Sequence, residues 1–357
     1  MAEPGPEPER NDRLPIAEAR RIVADLFAPK PLIYWADFLV SAGLGWAAFV
    51  VAVRLPAPSA AQTVAVVVAA LALYRAVIFI HELAHLKKGT FRLFRLVWNV
   101  VCGFPLMVPS FTYRGVHNDH HKRDVYGTRD DGEYLPFAAQ RPYRMVLYLL
   151  LIFVLPILVA GRFVVLTPAA YLHRGARRFV WQRASSLTID LGYRRPGPLA
   201  RDGWTWRLQE FCCFLYGWSA ILLVAAGRLP VELLGLWYVV TVLIFLLNSL
   251  RTLAAHCYRN PGSRAMDLSE QVLDSVNVPG NLFLTGLWAP VGLRYHATHH
   301  LFPNLPYHAL GQAHRRLIAG LPADSGYRRT VRRGLWDALR RLWREAAAAA
   351  RSGAESA

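Results

Sequence analysis

The sequence predicts an all-α integral membrane protein: four transmembrane helices in two hairpins, with interfacial helices and a cytoplasmic cap that carries histidine groups. Three observations point there. The 357-residue chain is 54% hydrophobic, with a mean hydropathy of +0.23, which points away from an ordinary soluble protein. Its apolar residues gather into runs of bilayer length. Nine of its twelve histidines fall into four groups that follow or interrupt those runs.

The charge balance narrows the partners. Forty-one Lys and Arg against 24 acidic residues leave a net charge of +17, which suits a cytoplasmic face held against anionic lipid and attractive to acidic proteins. The long apolar runs between the charges argue against nucleic acid as the partner. Of four cysteines, the adjacent Cys212 and Cys213 lie inside an apolar run, so neither a disulfide framework nor a cysteine metal site is expected. Residues 1–31 mix Glu, Pro and Arg without a signal-peptide core and read as a solvated, disordered cytoplasmic tail.

Residues 32–322 carry the membrane domain. Leu32–Val53 and Val64–His85 are each 22 residues, about 33 Å at the helical rise, enough to cross a bilayer core. The Pro-rich link between them reads as a tight turn on the far side, so both ends of the pair are cytoplasmic. Phe91–Phe111 is broken by Gly103, Pro105 and Pro109 and reads as a re-entrant or interfacial piece. Residues 143–167 look like a third span, but eight arginines between Arg174 and Arg207 face only Asp190 and Asp202. The positive-inside rule keeps that stretch cytoplasmic. The 143–167 segment, with Pro156 and Gly161 at its middle, is therefore expected to be a kinked helix lying in or dipping into the membrane. Phe211–Ala226 and Val231–Leu250 form the second hairpin. Residues 323–357 are expected to be a basic amphipathic helix, lying on a membrane surface or on the protein's own cytoplasmic domain, followed beyond Ala346 by a disordered tail.

The histidine groups carry the chemistry. They are His81 and His85; His117, His120 and His121; His256; and His296, His299 and His300. With twelve histidines in 357 positions, a five-residue frame has His at its first, fourth and fifth places by chance roughly once in 27,000. The pattern occurs twice, so coincidence is a poor account. Spacings of three and four put rings on one face of a helix, and imidazole suits iron, copper and zinc. Nine nitrogen donors are too many for one tetrahedral zinc. They suffice for two metals with positions left open for oxygen, hence for redox chemistry on a C–H bond. Glu82, Asp119, Asp267 and Asp274 are candidate carboxylates to orient the ligand rings.

His81-Glu82-Leu83-Ala84-His85, His117-Asn118-Asp119-His120-His121 and His296-Ala297-Thr298-His299-His300, the last followed by Leu301-Phe302-Pro303, resemble the three histidine boxes of the integral-membrane fatty acid desaturases and their hydroxylase relatives. The resemblance runs from about Leu32 to Leu317. It implies an O2-dependent di-iron centre on the cytoplasmic side, a buried acyl tunnel, a membrane-lipid or acyl-carrier substrate, and electrons from a separate ferredoxin or cytochrome b5 type protein. An acidic donor fits the basic chain, and a bacterial inner membrane is the expected location. His256 resembles a further ligand that several members place at the end of the last helix. Where some members carry an Asn that holds an iron-bound water, this chain has Thr252, with Asn248 a further turn back.

Acyl desaturation is the favoured expectation, with hydroxylation, epoxidation or carotenoid ketolation as alternatives, because the same oxidant leads to each. His81-Glu82-x-x-His85 also satisfies the His-Glu-x-x-His pattern of a zinc protease, which would leave most of the other histidines unexplained. A non-enzymatic haem carrier needs one or two axial histidines, far fewer than the chain offers.

Overall fold

The structure is a computed structural model and describes residues 14–87, 89–197, 203–262 and 264–355. Among these residues the fold is helical throughout, and extended pairing is limited to three isolated bridges, His256 with Ser275 and Asn277 with Tyr295 and Val331. Five helices are long and apolar enough to cross a membrane: Pro31–Arg54, Ala60–His85, Leu155–Leu172, Gly203–Ala225 and Glu232–Leu253.

The first hairpin is built on small residues. Ala42, Gly45 and Ala52 of one helix are buried with Ala65, Ala69 and Ala70 of the next. A side chain at Gly45 would come within 2.7 Å of Leu73 Cγ, so glycine is what lets the two backbones approach this closely. Ser59 caps the second helix, its hydroxyl accepting from the Gln62 N–H at 3.1 Å. The Glu232–Leu253 helix then packs along Ala60–His85, with Val240 and Ile244 in the same apolar core as Leu73, Tyr74 and Val77. The helix end that carries His81 and His85 is thereby brought beside the helix that leads to His256.

Residues 143–167, expected as a kinked segment, are broken into short helices. Pro156 stands in the first turn of Leu155–Gly161, and a π-helical turn occupies Arg162–Leu166. Such turns arise where an extra residue is accommodated in a helix. Leu155–Leu172 nevertheless qualifies in length and hydropathy as a fifth span. A buried ion triad ties it to its neighbours. The Arg162 guanidinium meets Glu210 at 2.5 Å and Arg177 meets the same carboxylate at 2.6 Å. Between the hairpins, Arg92–Trp98 is a short helix continued by a π turn, and the chain doubles back so that the Ser110 N–H donates to Asn99 Oδ1 at 2.8 Å.

Both termini depart from expectation. Residues 14–31 are not a solvated tail: Ile16–Ile22 is a helix, Leu14, Ala19 and Val23 are buried against the Tyr307–Gly320 helix, and Asp25 pairs with Arg316 at 2.5 Å. Residues 1–13 lie outside the described residues. The C-terminal helix runs from Leu335 to Glu355, through the stretch expected to be disordered. It packs on the protein itself, with Leu342 and Ala346 buried beside Tyr126, Phe137 and Tyr258 and Glu345 paired to Arg259 at 2.7 Å. Trp336 and Trp343 point outward, 68% and 45% exposed.

Candidate metal centre

Four segments deliver the nine histidines. His81 and His85 occupy the last turns of Ala60–His85. The Phe111–His120 helix carries His117 and His120, and His121 is its C-cap. After Glu232–Leu253, a turn closed by the Ala254 and Ala255 N–H groups leads into His256, which bridges to Ser275. The short His296–Leu301 helix supplies the rest. Its Thr298 is pinned by Asn277 Oδ1, which accepts from the Thr298 N–H at 3.1 Å, and by the Tyr327 hydroxyl at 2.6 Å.

The rings converge as two sets of four. His81, His85, His117 and His299 form one; His120, His256, His296 and His300 form the other; within each, one nitrogen per ring lies within 4.8 Å of the others. His121 lies between them. Its Nε2 is 3.2 Å from that of His117 and 3.1 Å from that of His299, and its ring stacks on His300 at 4.5 Å. Seven of the nine are buried, and His85 and His121 are half-buried.

The donor chemistry is that of a metal site. Nε2 faces Nε2 at 2.8 Å between His85 and His117, 2.9 Å between His256 and His296, and 3.2 Å between His296 and His300. The opposite nitrogens of three rings are committed elsewhere. His117 Nδ1 is 2.9 Å from Glu133, His120 Nδ1 is 2.8 Å from Asp131, and His256 Nδ1 is 2.9 Å from the Tyr126 hydroxyl. A ring that donates from Nδ1 to a carboxylate presents its Nε2 lone pair. A cation held between such rings would satisfy the facing lone pairs. Both nitrogens of His81 and the Nδ1 atoms of His296, His299 and His300 are buried without a partner. Burial, then the neighbouring imidazoles, hold His117, His121, His296, His299 and His300 well below the usual histidine range. His256 is lowered as well, by burial and then by His120 and Arg251. Neutral imidazole is the ligating form. His120 differs: burial opposes its charge, but the Asp131 carboxylate prevails and raises it.

The supporting carboxylates are partly those expected. Asp274 acts through tyrosines, accepting from Tyr126 at 3.1 Å and Tyr134 at 3.0 Å. Glu82 lies 3.7 Å from His81 Nδ1, and its partners are the Tyr34 hydroxyl at 2.5 Å and the Tyr307 N–H at 3.2 Å. It joins the first membrane helix to the segment after the third histidine box, which leaves the base of a zinc protease without a role. Asp119 and Asp267 have other partners. Asp119 pairs with Lys122 at 2.5 Å and accepts from Tyr193, and Asp267 caps Leu268–Asp274 in a box with Glu270. Thr252 lines the adjoining cavity, and its carbonyl accepts from Tyr258. Asp131, Glu133, Tyr113 and Tyr126 went unnoticed in the sequence, although Asp130-Asp131-Gly132-Glu133 is a conspicuous acidic run in so basic a chain. Tyr113 places its hydroxyl 3.0 Å from His117 Nδ1. The other three histidines serve locally. His173 caps a helix, His308 accepts from the Lys30 N–H, and His314 meets the Tyr327 hydroxyl.

A cavity of about 430 Å³ reaches the centre at His81, His256 and His296, walled by Val77, Ile78, Leu155, Phe163 and Ile244, with Asn248, Arg251 and Glu133 among its polar groups. This is the size and lining of a small-ligand site.

Comparison with known proteins agrees with this geometry. The fatty acid desaturase family model matches residues 57–332. The chain is 41% identical over 327 residues to the ceramide hydroxylase of Caulobacter vibrioides (strain NA1000 / CB15N), an alignment covering 92% of this chain and 92% of that protein. No solved structure gives a significant match.

Proposed function

Because the chain belongs to the fatty acid desaturase family, we propose that it is an O2-dependent di-iron oxidase of the membrane that hydroxylates a ceramide-like lipid. The observation that carries the reading is the pair of largely buried histidine tetrads opening onto a mostly apolar cavity. His81, His85, His117 and His299 would hold one iron and His120, His256, His296 and His300 the other, with His121 placed to serve either. The chemistry that a di-iron pair supplies in such a site is oxidation of an unactivated C–H bond with O2.

The protein's own groups set the conditions for that chemistry. Glu133, Asp131 and Tyr126 fix three rings with Nε2 pointing inward. The apolar wall aligns a hydrocarbon chain and keeps bulk water from the centre. Hydroxylation is preferred over desaturation because of the relative identical at 41% across 92% of the chain. Desaturation of an acyl chain is the second reading, supported by the family itself. For all nine histidines to meet on the cytoplasmic side, the chain must cross the bilayer an even number of times between His121 and His256. We therefore take Gly203–Ala225 and Glu232–Leu253 as the crossings and the broken Leu155–Leu172 as non-crossing. Electrons would come from an acidic ferredoxin or cytochrome b5 type protein docking on the basic cytoplasmic face.

Expression in a bacterial host supplied with ceramide, followed by mass spectrometry under 18O2, tests the proposal. Incorporation of one labelled oxygen into the lipid is expected. New double bonds without labelled oxygen would replace hydroxylation by desaturation, and an iron-loaded protein that alters no lipid would overturn both readings.

A further inference from the structure

We propose that Arg251, with Asn248, forms a polar clamp that fixes which substrate carbon meets the metal centre, and that the carbon oxidised lies within a few bonds of an amide or hydroxyl group. The inference rests on the reading of the site as a lipid oxidase and specifies how the lipid is held.

The argument begins with order along one helix. Thr241, Ile244, Asn248, Arg251 and Thr252 all line the cavity, at the spacing of three and four that puts residues on one face of a helix. Their order in the chain is therefore their order along the cavity wall. The wall is apolar at Ile244 and Phe245, polar from Asn248 to Thr252, and ends at His256. The helix ends two residues past Arg251, and the turn at Ala254 and Ala255 leads directly into His256. A site that oxidises the middle of a hydrocarbon chain needs methylene-compatible walls right up to the metal. Here a guanidinium lines the same cavity as His81, His256 and His296 instead.

That guanidinium is buried and under-used. Arg251 is only 9% exposed, its Nε has no hydrogen-bond partner, and one terminal nitrogen donates to Asn248 Oδ1 at 3.2 Å. Among the described residues no carboxylate forms an ion pair with it. A buried guanidinium that no carboxylate neutralises is costly, so the site is arranged for a group that arrives with the ligand. The complement of atoms identifies that group. Arg251 offers N–H donors, and Asn248, its carbonyl already engaged, offers its amide N–H2. In the same cavity lining Glu133 Oε1 is buried without a hydrogen-bond partner and is free to accept. A neutral group with both a carbonyl and an N–H or O–H satisfies both sides. A free carboxylate would pair with Arg251 but also face Glu133.

The test uses full-length, iron-loaded enzyme in nanodiscs and a short-chain N-acyl amino alcohol, with the matching free fatty acid and a hydrocarbon of equal length as controls. Binding, iron content and position of oxidation are read together. The wild type should bind the amide lipid in preference to both controls and oxidise it at one position near the amide. Arg251→Gln should keep two irons per chain, bind the amide lipid about 10- to 100-fold more weakly, as expected for loss of a charge-assisted hydrogen bond, and spread oxidation over several positions. Arg251→Lys should partly restore affinity. Asn248→Leu, which removes the amide N–H2 together with an acceptor of Arg251, should weaken the amide lipid in the same direction and the hydrocarbon far less. Unchanged affinity and position in Arg251→Gln, oxidation far from the amide in the wild type, or loss of iron in both variants would overturn the clamp. A wild type that oxidises no lipid would instead sink the oxidase reading, and the binding comparison would still decide the clamp.

Discussion

Replacing Asp131 with Asn removes one negative charge from beneath one half of the metal centre while keeping the side chain's volume. Asp131 is 1% exposed and has three partners. It meets His120 Nδ1 at 2.8 Å and accepts from the Gly127 and Glu133 N–H groups, each at 2.9 Å. The amide can still accept through its oxygen, but its N–H2 must then face a partner that is itself a donor. Loss of a carboxylate behind a ligating imidazole typically weakens metal binding about 10- to 100-fold, or roughly 1.4–2.8 kcal/mol. The stranded backbone donor should cost the metal-free fold a further 1–3 kcal/mol or so. Metal retained per chain against a graded chelator series is the assay. Asp131→Asn should lose one metal early and keep the second, because His120 belongs to only one tetrad. Glu133→Gln, which touches His117 of the other tetrad, should also lose one metal early, and the double variant should lose both. If Asp131→Asn holds two metals with wild-type resistance, or releases both at once, the assignment of separate supports to separate tetrads is wrong.

Acid should destabilise the metal-free protein. His117, His121, His256, His296, His299 and His300 are held below their usual range when folded, by burial first. In the unfolded chain they take up protons as the pH falls through about 6.5, so the unfolded state binds more protons and folding stability drops with pH. His120, raised by Asp131, offsets part of this. Thermal melting between pH 8 and 5.5 should show a falling Tm, and a flat or rising profile would refute the reasoning. With a net charge of +17, reduction by an acidic donor should slow as ionic strength rises toward values where the screening length is under about 10 Å. Salt-independent stopped-flow reduction would remove the electrostatic docking.

The histidines were legible because their meaning lies in spacing, which a helix converts directly into a shared face. All nine positions picked out in the sequence are brought together. Their supports were not legible in the same way. Asp131 and Glu133 reach His120 and His117 only because the chain after the box folds back, and nothing in local spacing encodes that return. Asp267 was within reach of sequence reasoning, since Asp267-x-x-Glu270 ahead of an apolar run is the mark of a helix start. The C-terminal Ala run was also readable: alanine is the strongest helix former, and Arg259–Glu345 with Leu342 and Ala346 supplies the packing that carries the helix past Ala346. The anchoring of Leu155–Leu172 is not legible locally, because Arg162 and its partner Glu210 are 48 residues apart.

The division of the third box between the two tetrads has a consequence for how the protein is made. His299 completes one set, and His296 and His300 complete the other. The first set is finished only at residue 299 and the second only at residue 300, by which point the five long apolar helices found among the described residues have been synthesised. A nascent chain holding only the first two boxes presents incomplete ligand sets, so a metal bound by either set is captured only once the scaffold exists to enclose it.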